Sequence, residues 1–391
     1  MIADKLLENT DVVIGKDGLL DNLSDGRKLK VKFGVDPTRP DLTFGHLVVF
    51  NKLRQFQDAG HEAILLIGDY TARIGDPSGR SELRPELTED EVEQNASTYL
   101  EQAFKIIDKS KTVVRRNSEW FGKMSFADAL TLSRSMTVAR MLERDDFEKR
   151  FKSSQPISMV EFMYPLIQGY DSIVLESDVE LGGSDQLFNM LVGRSLQKEK
   201  GVSPQAVITL PLLVGLDGSK KMSKSYDNYI AFNDSPKDIF GKTMSISDEV
   251  MWDYYRLLLQ KDKLEINMLK KSHPMESKKA LALELTALFY GKEVAGYEHT
   301  SFSQVYSMGE DPEKMPEFSI TSMNNCAPTL LNILSESELF ESKGQIRRLF
   351  KQGAIKLDGS RVENPDLDLS NLTEESHIIK AGKKIFIRLT P

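Results

Sequence analysis

The sequence predicts an α/β fold: a doubly wound parallel sheet with a helical insertion, then a helical domain and a small α+β module. Two near-continuous apolar runs joined by an amphipathic segment indicate the parallel sheet. A long amphipathic stretch indicates the helical domain, and a short basic helix pattern followed by hairpin turns indicates the last module. The 391 residues are enough for two or three such domains.

The sheet begins with a strand in residues 28–37, "KLKVKFGVDP", which ends in a turn. Residues 46–58 carry apolar side chains at helical spacing, and Gly60 is suited to end that helix. Residues 62–69, "EAILLIGD", form the next buried strand. Strand, helix and strand with short links predict a right-handed crossover between two parallel neighbours.

Residues 85–150 are charged and helical in pattern, which indicates an insertion between two halves of the sheet. The second half has a strand in 171–183, a helix in 184–198 and a strand in 206–216. We therefore assign residues 1–235 to a Rossmann-like domain.

Residues 236–325 are mostly amphipathic helix and form the second predicted domain. The Pro, Asn and acidic content of residues 309–328 is typical of a linker. Residues 329–391 form the last module, with ten Lys or Arg against six Asp or Glu between Lys343 and Arg388. This excess of basic residues within a chain of net charge −8 predicts a local site for an anionic partner.

Composition excludes several classes of protein. One cysteine, Cys326, allows no intramolecular disulfide and fits a reducing compartment. Five scattered histidines offer no zinc-ligand spacing, so we expect no protein-bound metal. The first residues lack the apolar core of a secretory signal, and no apolar run is long enough for a membrane span. We therefore expect a cytoplasmic protein.

Two candidate sites follow the predicted strands. "DPTRPDLTFGH", residues 36–46, places Gly45 and His46 at a helix start, where backbone N–H groups bind anions. "GDYTARIGDPSGR" places Asp69 and Asp76 at the ligand-binding edge of the sheet. The alternative for the first site is that Gly45 only packs and His46 is exposed. The alternative for the second site is that the segment around Asp76 is an ordinary turn.

Three further motifs carry polar groups. "YPLIQGYD" puts Tyr164, Gln168 and Asp171 on one helical face within an apolar run. "GGSDQ", residues 182–186, joins a close-approach diglycine to an acid and an amide. "GSKKMSKS" gathers three lysines in a loop, which is either a solvated surface or a site for a strongly anionic ligand. The three lysines are Lys220, Lys221 and Lys224.

Taken together, "TFGH", "GDPSGR", "YPLIQGYD", "GGSDQ" and "KMSKS" resemble the signatures of class I aminoacyl-tRNA synthetases, and within them the bacterial tyrosyl-tRNA synthetases. The resemblance covers nearly the whole chain, and the last module is similar to a ribosomal-protein-type RNA-binding module. It implies that tyrosine and ATP give tyrosyl-adenylate and pyrophosphate, and that the tyrosyl group passes to tRNA(Tyr). It also implies a homodimer, and Mg²⁺ carried by the nucleotide.

The resemblance assigns roles residue by residue. It places Asp76, Tyr164 and Gln168 at the tyrosine ammonium, Asp171 at the phenolic hydroxyl and Gln186 at the carboxylate. Another set would hold ATP: Gly45, His46, Gly183, Asp185, Lys221, Met222, Ser223 and Lys224. Lys221 and Lys224 would close over the pyrophosphate, with basic residues nearby at Arg80 and Arg84. The predicted tRNA contacts are Lys343, Arg347, Arg348 and Lys351.

Two positions depart from the family pattern. Thr43 stands where a histidine is usual among the catalytic residues, and Lys32 stands where a tyrosine often binds the substrate hydroxyl. We expect Lys32 to pair with Asp171 and to hold that carboxylate ionised. Two alternatives remain: a relative that uses another amino acid or acceptor, and a catalytically silent protein that binds structured RNA.

Overall fold

In the computed structural model the described residues are 2–75, 87–304, 315–323, 327–340, 342–370, 376–382 and 385–390. They form two compact units, residues 1–295 and 296–391. Asp76, Arg80, Arg84 and Cys326 lie outside the described residues, so their predicted roles stay predictions.

The first unit is built on a six-stranded sheet with the order β1-β6-β5-β2-β3-β4. Neighbouring strands are parallel, except that β1 is antiparallel to β6. The chain winds outward in one direction from β2 and in the other from β5, so the doubly wound sheet is confirmed. The strands are β1 Val13–Ile14, β2 Lys30–Val35, β3 Glu62–Ile67, β4 Thr112–Arg116, β5 Val179–Gly183 and β6 Ala206–Leu210.

Helices cover the sheet and continue beyond it. They are α1 Ile2–Leu7, α2 Lys16–Ser24, α3 Phe44–Asp58, α4 Asp69–Ile74, α5 Glu89–Ala103, α6 Ser118–Phe121, α7 Phe126–Ser133, α8 Val138–Met141, α9 Asp145–Lys152, α10 Met159–Val174, α11 Leu187–Glu199, α12 Pro236–Ser245, α13 Asp248–Leu257, α14 Lys263–Leu269, α15 Pro274–Tyr290 and α16 Lys292–Ser303. Short 3₁₀ turns occupy Lys109–Lys111 and Ser184–Gln186. One hydrophobic cluster runs from Leu6 to Leu285 and joins the sheet to α1–α3, α5 and α12–α15, whereas buried residues of α7, α8, α10 and α11 form a second cluster.

The first crossover follows directly from the sequence pattern. Val31 and Phe33 of β2 are buried beneath α3, whose Leu47, Phe50 and Leu53 are fully buried. Gly60, at φ +90°, adopts the left-handed conformation that ends a helix without a Cβ clash. This crossover, predicted from local periodicity alone, is confirmed.

Three predicted elements were wrong in detail. The insertion predicted as helical contains β4, an edge strand that is only partly buried and therefore lacks a continuous buried apolar run. Residues 171–174 belong to α10 rather than to a strand, because that helix continues to Val174, and the chain then turns at Glu176, where φ is +49°. The strand predicted for 206–216 ends at Leu210.

The second unit has a five-stranded sheet with the order β7-β11-β10-β8-β9 and its own hydrophobic cluster. Its elements are β7 Glu317–Ser319, a 3₁₀ turn Ile320–Ser322, α17 Leu330–Glu336, α18 Lys343–Lys351, β8 Ile355–Leu357, β9 Ser360–Arg361, β10 His377–Ala381 and β11 Ile385–Thr390. The basic helix and both hairpins are as predicted. β7, however, lies within the segment predicted to be a linker and pairs with β11.

The division between the two compact units falls at Ala295, and the domain boundaries predicted at residues 235 and 325 stay predictions. No described helix has both the length and the apolarity needed to cross a membrane.

Candidate active site

A cavity of about 530 Å³ opens at the carboxyl ends of β2 and β5, where the winding of the sheet reverses. Open α/β sheets bind ligands at this position. Every described residue of the first unit to which the resemblance points lines this cavity. They are Lys32, Thr43, Gly45, His46, Tyr164, Gln168, Asp171, Gly183, Asp185, Gln186, Lys221, Met222, Ser223 and Lys224. The candidate Asp69, in contrast, is absent from the lining and accepts hydrogen bonds from Ser118.

Backbone hydrogen bonds and a close approach bring the two signature segments together. These segments are "TFGH", residues 43–46, and the lysine loop "KMSKS", residues 221–225. Phe44 N–H donates to the Ile230 carbonyl at 2.9 Å, and Phe232 N–H donates to the Leu42 carbonyl at 2.9 Å. A Cβ on Gly45 would lie 3.6 Å from the Met222 carbonyl oxygen. The start of α3 and the lysine loop therefore face the same side of the cavity, although about 175 residues separate them.

His46 is held in one tautomer. Its Nδ1 accepts the Thr43 backbone N–H at 3.1 Å and lies 2.9 Å from Thr43 Oγ1, so the proton of the neutral ring is on Nε2. Burial, with a contribution from the Lys224 ammonium, lowers the pKa of His46 to about 3. His46 is therefore a neutral N–H donor at physiological pH, and buried Thr43 orients it.

Two lysines of the loop line the cavity. Lys221 Nζ pairs with Asp185 Oδ2 at 2.6 Å, and both side chains are about one-third exposed. Lys224 Nζ donates to Tyr99 Oη at 2.8 Å. Lys220 instead lies over the ring of Tyr226. We call Lys221 and Lys224 the loop cations.

A second set of charged side chains that line the cavity is almost fully buried. Lys32 Nζ pairs with Glu180 Oε1 at 2.9 Å and donates to Ser172 Oγ at 2.7 Å. The Lys32 and Glu180 side chains are only 1% and 3% exposed. The expected pairing of Lys32 with Asp171 is therefore wrong, because Lys32 and Glu180 stand directly opposite in the register of β2 and β5. Lys32, Asp171, Ser172 and Glu180 form what we call the buried charge cluster.

Asp171 lies in this cluster without an ion-pair contact to Lys32. Trp120 Nε1 donates to its carboxyl at 2.9 Å, and Asn117 Nδ2 lies 3.5 Å away. Burial raises the pKa of Asp171 to about 8, although the nearby Lys32 ammonium and these donors act in the opposite direction. The expectation that Lys32 holds Asp171 ionised is therefore wrong.

The remaining predicted polar groups are also fixed by neighbours. Tyr164 Oη donates to Asp36 Oδ2 at 2.7 Å, and Gln168 Nε2 donates to Glu180 Oε1 at 3.3 Å. Asn189 Nδ2 donates to Gln186 Oε1 at 3.1 Å. These bonds hold the side chains in defined positions around the cavity.

Comparison with known proteins agrees with this geometry. Residues 24–307 match the family of class I tRNA synthetases (W and Y), and residues 308–389 match the tyrosine–tRNA ligase SYY-like C-terminal domain. A tyrosine–tRNA ligase of Oleidesulfovibrio alaskensis is 50% identical over 98% of this chain and 97% of its own length. One of Thermotoga maritima is 48% identical over 98% and 96%. The chain belongs to the tyrosine–tRNA ligase family.

A solved structure from the same family supports the fold. The C-terminally truncated mitochondrial tyrosyl-tRNA synthetase of Aspergillus nidulans matches with a TM-score of 0.65. The match covers 78% of this chain and 94% of that one at 22% identity. Over the matched part, the chain therefore shares the fold of that synthetase.

Sequence reasoning missed several residues of the site. Asp36 lines the cavity and accepts hydrogen bonds from Tyr164 and from Thr71 Oγ1. A Cβ on Gly68 would lie 2.1 Å from Asp36 Oδ1, so only glycine leaves room for this carboxylate. The position of Asp36 directly after an apolar strand could have revealed it. Trp120 gave no comparable signal, because only tertiary packing brings it to Asp171.

The four predicted tRNA contacts lie elsewhere, on α18 of the second unit, and all are exposed. Ile346 and Phe350 on the opposite face of α18 are buried in that unit's core. In the described ranges, no three His, Cys, Asp or Glu side chains are grouped to hold a metal ion. The expectation that the protein holds no metal of its own stays a prediction.

Proposed function

We propose that the chain activates tyrosine with ATP, giving tyrosyl-adenylate and pyrophosphate, and then transfers the tyrosyl group to the 3′ end of tRNA(Tyr). One observation carries this proposal. The loop cations and His46 line the same cavity as Asp171, Tyr164 and Gln168. Family membership supports the same reaction.

The cavity's donors suit the first step. The tyrosine carboxylate attacks the α-phosphorus of ATP, the bond to the bridging oxygen breaks, and pyrophosphate leaves. Negative charge grows on the phosphate oxygens, so the site needs fixed donors and cations more than a proton acceptor. His46 supplies a neutral Nε2–H, and Lys221 and Lys224 supply positive charge.

Three further roles, at residues outside the described ranges, rest on the resemblance. Arg80 and Arg84 would add charge at the pyrophosphate, and Asp76 would bind the tyrosine ammonium together with Tyr164 and Gln168. Mg²⁺ would enter with the nucleotide.

The buried charge cluster suits the tyrosine side chain. Asp171 would bind the phenolic hydroxyl, and Lys32 would stand beside it. Gln186 would bind the substrate carboxylate. Gly45 and Gly183 would hold adenosine. A Cβ on Gly183 would lie 2.8 Å from Asp185 Oδ1 and 2.9 Å from a Leu212 methyl carbon, so glycine leaves these two cavity-lining side chains in place.

ATP–pyrophosphate exchange with each amino acid in turn tests the activation step. Tyrosine alone should support rapid exchange, and charging assays should then give tyrosyl-tRNA. Faster exchange with a different amino acid would favour the alternative of another substrate. Absence of exchange with all of them would favour a silent RNA-binding protein.

The second unit would hold the RNA acceptor through Lys343, Arg347, Arg348 and Lys351. Replacing all four by alanine should weaken tRNA binding and reduce its salt dependence, because each lysine or arginine that contacts a phosphate releases counterions. Tyrosine-dependent exchange should not change. A variant that charges tRNA at the parent rate would remove α18 from the mechanism.

We also propose a homodimer. Several large apolar side chains between residues 126 and 160 are exposed in the single chain, more than scattered surface residues require. They are Phe126, Leu130, Val138, Phe151, Met159 and Val160. A second copy would cover them by two-fold association. Sedimentation at micromolar concentration should show about twice the 44.2 kDa chain mass, and a monomer would contradict the proposal.

We place the reaction in the cytoplasm, where ATP and tRNA are available.

A further inference from the structure

One face of α5 supports the loop that leads from β2 to α3. Asn95 Nδ2 donates to the Pro37 carbonyl at 3.0 Å. The Pro40 carbonyl accepts from Thr98 Oγ1 at 2.7 Å and from Gln102 Nε2 at 2.8 Å. Gln102 Oε1 also accepts the Leu42 N–H at 2.8 Å. This loop ends at Thr43, so α5 fixes the backbone from which Thr43 and His46 project.

The same helix holds the second signature loop. Tyr99, which is 2% exposed, accepts a hydrogen bond from Lys224 Nζ at 2.8 Å, and the ammonium lies 5.0 Å from the centre of its ring. Lys224 also reaches the Arg39 carbonyl at 3.4 Å. Through neighbouring side chains, α5 therefore contacts both segments that would handle the triphosphate.

The Lys224 ammonium also acts on His46 through its charge. Tyr99, His46 and Lys224 all line the cavity. A cation and a neutral N–H donor therefore converge on one region, although they come from segments far apart in sequence.

We propose that Tyr99 is a positioning residue for Lys224, and that α5 is the support that aligns both signature segments for the triphosphate of ATP. This inference rests on the proposed function. Lysine is a point charge on a flexible four-carbon stem, and holding it in place costs side-chain entropy. A buried hydroxyl that accepts a hydrogen bond from the ammonium holds the lysine in place before ATP binds. The side-chain entropy is then already lost in the free enzyme. Cations fixed in advance stabilise the transition state more than cations that must first be ordered.

Tyr99→Phe tests the inference because it removes one oxygen and keeps the ring. We expect the kcat of tyrosine-dependent pyrophosphate exchange to fall about tenfold, the loss typical of one hydrogen bond to a charged group. The KM for tyrosine should stay within about twofold of the parent value. A purely structural role would change both constants together or lower the melting temperature.

A double-mutant cycle with Lys224→Ala provides the decisive comparison. In that background Tyr99→Phe should cause no further loss, because the hydroxyl then has no ammonium to place. The matched control is Tyr290→Phe, which also removes one hydroxyl, from a contact with the Asp234 carbonyl outside the cavity lining, and should exchange at the parent rate. Tyr99→Leu is a second variant that removes the ring as well, and its loss should be larger but equally dependent on Lys224.

Three outcomes would overturn the inference: an unchanged rate in Tyr99→Phe, an equal loss with and without Lys224, or a faster rate. A faster rate would mean that Tyr99 holds Lys224 away from ATP. If the parent protein itself failed to exchange with tyrosine, the proposed function would fail instead. The two failures are therefore distinguishable.

Discussion

The cavity contains two lysine–carboxylate pairs of similar geometry in opposite surroundings. Lys32 and Glu180 meet at 2.9 Å on neighbouring strands and are almost fully buried. Lys221 and Asp185 meet at 2.6 Å, with Lys221 on a loop and both side chains partly exposed. A buried pair cannot separate without a large desolvation cost, whereas an exposed pair exchanges partners readily. The buried pair therefore suits a fixed selection of the substrate, and the exposed pair suits a cation that must respond to arriving and departing phosphates.

The largest expected difference between the two pairs is in stability. Glu180→Ala leaves the Lys32 ammonium buried without a counter-charge and should lower the free energy of unfolding by about 3–5 kcal/mol. Asp185→Ala removes the exposed partner of Lys221 and should lower it by about 1 kcal/mol or less. Urea unfolding of both variants measures the contrast. Equal losses would show that burial does not distinguish the two pairs.

The next effect concerns catalysis by the loop cations. Lys221→Ala and Lys224→Ala should each slow adenylate formation roughly 10²–10³-fold, as expected for groups that act on charge in the transition state. The KM for tyrosine should change little, because the buried charge cluster is untouched. Single-turnover formation of tyrosyl-adenylate measures the rate. A variant with the parent rate and a raised KM for tyrosine would reverse the roles given to the two regions.

A smaller effect is expected on the choice between tyrosine and phenylalanine. Tyrosyl-tRNA synthetases are already the standard example of an enzyme that rejects a substrate lacking a hydroxyl, so the prediction concerns only the residue responsible. Asp171→Ala removes the group that would bind the phenolic hydroxyl, so the preference in kcat/KM for tyrosine should fall roughly 10–100-fold. Asp171→Asn is the matched control, because it keeps the shape and a hydrogen-bonding group. An unchanged preference in Asp171→Ala would place the side-chain pocket elsewhere.

The smallest effect is a pH dependence. Since burial raises the pKa of Asp171 to about 8, most Asp171 carboxyls are protonated at pH 6. The ionised form is the better acceptor for the phenolic O–H, so the KM for tyrosine should fall roughly three- to tenfold as the pH rises from 6 to 8.5. Asp171→Asn should abolish this trend. His46, with a pKa of about 3, does not titrate in this range.

The raised pKa of Asp171 also makes the free energy of unfolding depend on pH. The folded-state pKa of Asp171 lies above its unfolded value near 4, so its contribution to stability is full below about pH 4 and is lost as the pH rises through about 8. Asp171→Asn should therefore show a flatter fall in unfolding free energy over that range. A parallel fall in parent and variant would assign the pH dependence to other groups.

These two regions also show what the sequence can and cannot predict. The loop cations were predictable because Lys221 and Lys224 are close in the chain, and their motif carries its own chemistry. The pairing of Lys32 with Glu180 was not predictable, because it depends on the register of two strands far apart in the sequence. β4 was missed for a related reason, since an edge strand needs no strong apolar pattern. Local periodicity gave the β2–α3–β3 crossover, whereas contacts such as Trp120 with Asp171 exist only after folding.

The register of β2 and β5 also constrains how this pocket can evolve. Lys32 and Glu180 are coupled physically, because changing either alone leaves an uncompensated buried charge. A lineage that replaced the lysine by tyrosine would first have to neutralise position 180, or pass through a poorly folding ancestor. Redesign of this specificity should therefore begin with paired exchanges, such as Lys32→Tyr combined with Glu180→Gln. The combined variant should retain more folded protein than Lys32→Tyr alone, as measured by urea unfolding.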